Sequence, residues 1–162
     1  MTVEERLMTA FPPLLSRLTG SRNVRARELS EVSLFSGIGR QSLERLAAFL
    51  DEVEVEPGRT LVREGRRNDT FWVLLEGEVE ISVTGGPATV LRRGDFFGVT
   101  SMLDGGGAVA TVRSLTPLRA LVASPVQFRG LLENETVGRR LRSAALKRMR
   151  IDLEALRARA VA

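Results

Sequence analysis

Apolar residues change their spacing along this chain, and the changes mark out its elements. Val3, Leu7, Met8, Phe11, Leu14, Leu15 and Leu18 recur three or four apart, which predicts helix, and Pro12-Pro13 divides that run into two short pieces. Residues 21–27 are polar and rich in Arg, and read as a connector. Residues 41–50 predict an amphipathic helix with Leu43, Leu46, Ala47 and Leu50 on one face. Beyond it the period falls to two. Residues 51–56 alternate up to a Pro57-Gly58 turn, and 60–63 form a strand ending at Glu64-Gly65. Residues 70–75 are an almost continuous apolar run holding the only Trp, the mark of a buried strand. Val79, Ile81 and Val83 alternate with Glu78, Glu80 and Ser82 as a half-exposed strand, and Gly85-Gly86-Pro87 turns the chain into 88–91.

Regular patterning stops at 97–113. A short apolar segment, 99–103, lies between Gly98 and the triple glycine Gly105-Gly106-Gly107, and a short helix there would present free N–H groups at its start. Two more strands are expected at 108–113 and 118–123. Ser124-Pro125 then opens a helix to about 133, because Pro suits a first turn, and a long helix follows Asn134. Short strands joined by glycine turns predict a jelly-roll β-roll, mainly β with flanking α-helices, not a βαβ sheet.

The register of 97–113 resembles the phosphate-binding cassette of the cyclic-nucleotide-binding domain family, without a gap. Phe97-Gly98 falls on the family's Phe-Gly, Met102-Leu103 on its apolar pair, and Ala110-Thr111-Val112 on its closing Ala-Thr-Val. Residues 29–35 resemble the family's opening motif, and Gly58, Gly65, Gly77, Gly94 and Gly98 coincide with its turn glycines. The resemblance covers residue 29 to about 160. It implies a β-roll with flanking helices over 29–134 and a C-terminal dimerisation helix over 135–162, and the helical spacing ahead of it makes 1–28 an N-terminal helical extension that the resemblance does not cover.

The ligand-holding positions differ from the family. Val99 stands where the resemblance implies a Glu for the ribose 2′-hydroxyl, Ala108 where it implies an Arg for the cyclic phosphate, and Gly107 where it implies a Pro. Two charge-assisted hydrogen bonds contribute roughly 3–6 kcal/mol together, about two to four decades of affinity. The candidate pocket comprises Phe97, Gly98, Val99, Gly106, Gly107, Ala108, Val109, Thr111 and Arg113. Arg92, Arg93, Arg113 and Arg119 are the cations that could compensate from neighbouring strands, and strand alternation leaves open whether Val112 or Arg113 looks inward.

Composition narrows the function classes. With 162 residues, 43% of them hydrophobic, the chain has the size of one ordinary domain. His is absent, which removes the commonest general base and metal ligand, and absent Cys removes any disulfide framework and fits a cytoplasmic location. No phosphate-binding loop with Gly-Lys-Ser/Thr, nucleophile elbow or metal-ligand spacing is present, so neither enzyme nor metal centre is expected. No run reaches the length of a membrane span. The formal charge of +4 is modest and reads as an ordinary solvated surface.

Leu146, Met149, Leu153 and Leu156 follow the three-four spacing of a heptad seam, and relatives similar to the catabolite activator protein pair through this helix, so a homodimer is expected. Activator-type proteins continue into a winged helix-turn-helix; the sequence stops at Ala162, and sequence-specific DNA binding is not expected. The leading expectation is a stand-alone, non-catalytic regulatory or interaction module, pairing with itself or with another protein. It has no cofactor and does not hold cyclic AMP or cyclic GMP in the usual way. Two rivals remain. One is a sensor of a cyclic nucleotide or other small ligand through an altered pocket. The other is weak nucleic-acid binding through the basic C-terminal helix, where Arg139, Arg140, Arg142, Lys147, Arg148 and Arg150 cluster.

Overall fold

The computed structural model describes residues 15–17 and 22–161, with side chains from Arg25 to Lys147 and at Glu154, Arg157, Ala158, Ala160 and Val161. The elements follow in order: β1 (Leu15–Arg17), α1 (Arg22–Ser30), a 3-10 turn (Ser33–Phe35), α2 (Arg40–Ala47), β2 (Asp51–Val55) and β3 (Thr60–Val62). Next come β4 (Phe71–Glu76), β5 (Val79–Ser82), β6 (Thr89–Leu91), β7 (Phe96–Phe97) and α3 (Val99–Asp104). The chain ends in β8 (Thr111–Ser114), β9 (Leu118–Ala123), α4 (Pro125–Glu133) and α5 (Glu135–Val161). The strands form two antiparallel sheets, β1-β2-β9-β4-β7 and β3-β8-β5-β6, the jelly-roll β-roll expected from the sequence.

The apolar run of β4 is explained by layers on both of its faces. Phe71, Val73 and Leu75 pack with α1, α2, α4 and α5, while Trp72 and Leu74 pack between the two sheets. In β9, Leu121 and Ala123 face the helices, and Leu118, Ala120 and Val122 face the second sheet. A strand buried on both faces has no need of alternation. The helices start where the sequence indicates. The Ser124 hydroxyl accepts from Gln127 N–H and the Gln127 side chain accepts from Ser124 N–H, a reciprocal cap with Pro125 in the first turn. Among the described residues no helix is long and apolar enough to cross a membrane.

Three local expectations are corrected. The helical spacing near the N-terminus does not extend through Leu15, because Leu15–Arg17 is a strand completing the edge beside β2. Residues 1–14 and 18–21, and with them the rest of the expected N-terminal helices, lie outside the described residues. The connector at 21–27 is largely α1, which crosses the boundary placed at 28. Among its described side chains Ala26 and Leu29 are buried, and distant partners hold two others: Arg25 donates to Leu50 O at 3.2 Å and Glu28 pairs with Arg119. The strand expected at 108–113 begins at Thr111, because β3 ends at Val62 and only one isolated bridge, Arg67 to Gly107, continues the pairing.

Candidate functional site

The site is assembled where β7 turns into α3. Gly98 has φ +93°, and a Cβ there would lie 2.5 Å from the carbonyl oxygen of Thr70, so only glycine lets the two segments approach this closely. Asn68 fastens α3 from the opposite side: its Nδ2 donates to Ser101 Oγ at 2.9 Å and to Thr70 O at 3.0 Å, and its Oδ1 accepts from Thr70 N–H at 3.3 Å. The helix ends at Gly105, and Gly106 N–H donates to Asp104 Oδ1 at 2.7 Å. The following stretch is held against the β3–β4 loop by Ala108 N–H to Arg66 O at 2.7 Å and Gly65 N–H to Ala108 O at 2.8 Å.

These segments wall a cavity of about 480 Å³. Val62, Ile81, Leu91 and Val112 supply the inner face of the second sheet, Phe97, Val99 and Ala108 the cassette wall, and Ala144, Ala145 and Lys147 of α5 the roof. Of the residues picked out in the sequence, Phe97, Gly98, Val99, Ala108 and Val109 line the cavity. Gly106, Gly107, Thr111 and Arg113 do not. Thr111 Oγ1 accepts from Glu64 N–H at 3.0 Å. Arg113 is exposed on the outer face of β8, with a guanidinium nitrogen 3.6 Å from where a Cβ on Gly58 would sit. Strand alternation is thereby resolved in favour of Val112, which faces inward.

The other candidate cations are also turned elsewhere. Arg92 pairs with Glu78 at 3.2 Å and Arg93 pairs with Glu31. Arg119 meets Glu28 at 2.5 Å, Glu52 at 2.6 Å and Glu76 at 3.1 Å. Its guanidinium is held above the ordinary arginine range, chiefly by the hydrogen bond to Glu28 and against the cost of desolvation. The charged residues lining the cavity are Asp95 and Lys147. The Asp95 carboxylate is engaged with its own turn, accepting from Arg92 N–H at 2.8 Å. Among the described residues no group of His, Cys, Asp and Glu could hold a metal ion.

Sequence reasoning missed the floor and the roof. Period-two alternation could have flagged Val62, Ile81 and Leu91 as inward-facing. Nothing local distinguishes Ala144, Ala145 and Lys147 from the rest of a long helix, since their place depends on how α5 crosses α3.

Comparison with known proteins agrees with this geometry. Residues 52–135 match the cyclic nucleotide-binding domain family. A cAMP-dependent protein kinase regulatory subunit of Yarrowia lipolytica is 33% identical over 106 residues, covering 64% of this chain and 28% of its own. A cAMP-binding acyltransferase of Mycobacterium smegmatis is 30% identical with a TM-score of 0.61, covering 80% of this chain and 42% of that one. A cyclic nucleotide-binding domain of Methylobacillus flagellatus shares the fold, with a TM-score of 0.66 at 20% identity over 84% of this chain and 85% of that one. The chain spans 26–34% of the length of the curated relatives it matches. With the cassette in register, the β-roll around it and the family match across its strands, the chain belongs to the cyclic nucleotide-binding domain family.

Proposed function

We propose that this domain is a non-catalytic regulatory module that keeps the cassette as a scaffold and does not hold cyclic AMP or cyclic GMP in the usual way. The observation that carries the reading is the pair Val99 and Ala108. Both line the cavity at the positions where the resemblance implies an acid and a guanidinium, and none of Arg92, Arg93, Arg113 and Arg119 lines it in their stead. A phosphodiester placed there would lack its cation, and an unpaired buried charge is disfavoured beyond the lost hydrogen bonds. Absence of His and Cys supports a non-catalytic role. Titration calorimetry with cyclic AMP and cyclic GMP tests the reading: micromolar affinity for either would defeat it.

The open cavity favours a second reading, in which the module senses a different small ligand. A hollow of about 480 Å³ falls within the size range of small-molecule sites. Pairing of two copies through α5 belongs to the proposal too. Leu146 is 66% exposed on that helix, while the side chains of Met149, Leu153 and Leu156 lie outside the described residues. Sedimentation of Leu146→Arg against the unaltered chain tests the pairing, and identical monomeric behaviour of both would remove it.

A further inference from the structure

The walls and the rim of the cavity differ in chemistry, and together they specify a ligand class. The walls are apolar side chains, chiefly Val62, Ile81, Leu91, Val99 and Val112. The amide and hydroxyl set deepest among them, those of Asn68 and the buried Ser101, are already engaged. Both Asn68 Nδ2 bonds go to Ser101 and Thr70, its Oδ1 takes Thr70 N–H, and the Ser101 hydroxyl accepts from Asn68 and donates to Gly98 O at 3.4 Å. A ligand rich in donors and acceptors would find little to exchange for its lost water.

The two rim charges are not equivalent. Asp95 closes its own turn through Arg92 N–H, whereas Lys147 has no hydrogen bond or ion pair among the described residues. An ammonium on a flexible stem is a point charge suited to a single anionic group at the mouth, unlike a guanidinium fork fixed in a wall. We propose that the cavity takes a largely apolar small molecule ending in one carboxylate, with the apolar body between the sheet and α3 and the carboxylate against Lys147. This rests on the reading that the cassette no longer holds a cyclic nucleotide, and it names the ligand class of the same cavity.

The test uses the chain's own reporter. Trp72, the only Trp in a sequence without Tyr, stacks on Phe97, which lines the cavity. Trp72 emission is followed while the full chain is titrated separately with decanoate, 1-decanol and cyclic AMP. Decanoate is expected to give a saturable change with a dissociation constant below about 1 mM. Lys147→Ala is expected to weaken decanoate about fivefold at low salt and to leave 1-decanol unchanged. Lys147 is exposed, so this variant retains the fold, which its thermal melt verifies. No saturable response to decanoate, or equal decanoate affinity in the Lys147→Ala variant, overturns the inference and leaves the reading of the cassette standing. Saturable micromolar binding of cyclic AMP overturns that reading itself.

Discussion

Trp72 lies nearly flat against Phe97, with ring centroids 5.7 Å apart and planes 10° from parallel. Trp72 belongs to β4 in the middle of the sandwich, and Phe97 is the last strand residue before the cassette turns, so the contact joins the inter-sheet core to the cavity wall. Phe97→Ala is expected to lower stability by about 3 kcal/mol through the lost burial and aromatic pairing. It should also move Trp72 emission to longer wavelength as water gains access from the cavity. Urea denaturation and the emission spectrum check both.

Restoring the two missing groups should restore the family's ligand. The Val99→Glu, Ala108→Arg double variant adds an acid and a guanidinium to the cassette wall of an existing cavity, and is expected to raise cyclic AMP affinity by about a hundredfold or more. Calorimetry on the unaltered chain, the two single variants and the double variant measures it. Equal, negligible affinity in all four would mean that the scaffold has also changed.

The Arg119 guanidinium is shared by three carboxylates, and Glu52 beneath it is 4% exposed. Removing it by Arg119→Ala leaves that carboxylate buried and unpaired, with an expected loss of about 3 kcal/mol. Arg119→Lys should recover only part, since an ammonium cannot reach all three partners. Because the guanidinium is raised above its ordinary value, its contribution is complete below that value and fades only as pH climbs past it. The penalty of Arg119→Ala should therefore be constant between about pH 7 and 10, as urea midpoints across that range would show.

Gly98→Ala combines a left-handed backbone with a Cβ 2.5 Å from Thr70 O. An expected cost of about 2 kcal/mol or more should fall on the junction of β4, β7 and α3. Hydrogen exchange of the α3 amides should accelerate more than that of β9, and uniform acceleration would contradict a local effect.

Arg140 of α5 donates to Leu34 O at 2.9 Å and Ser36 O at 2.8 Å, with a longer contact to Ser33 O at 3.4 Å. Ser33 itself borders the cavity, so this side chain ties the roof helix to the turn beside the mouth. It is also one of the basic residues that the nucleic-acid reading counted as available. Arg140→Ala is expected to cost about 1–2 kcal/mol and to speed exchange in the 33–36 turn and the middle of α5.

Much of the architecture was legible in the order of residues. Strand β9 and helix α4 fall where the apolar run and the Ser-Pro start put them, and the cassette register follows from Phe97-Gly98 through Val112. Local period reports which residues must be buried, and glycine reports where the backbone needs a conformation other residues avoid. Neither reports what lies across the gap. That Arg119 is committed to Glu28, Glu52 and Glu76, that Arg113 faces out while Val112 faces in, and that Ala144, Ala145 and Lys147 roof the cavity are outcomes of distant elements meeting. The same holds for the strand at Leu15–Arg17, whose helical spacing yielded to an open edge of β2 that only exists once the sheet has formed. Backbone pairing and ion-pair partners are settled by which groups the folded chain brings within a few ångströms, and that information is absent from any window of neighbouring residues.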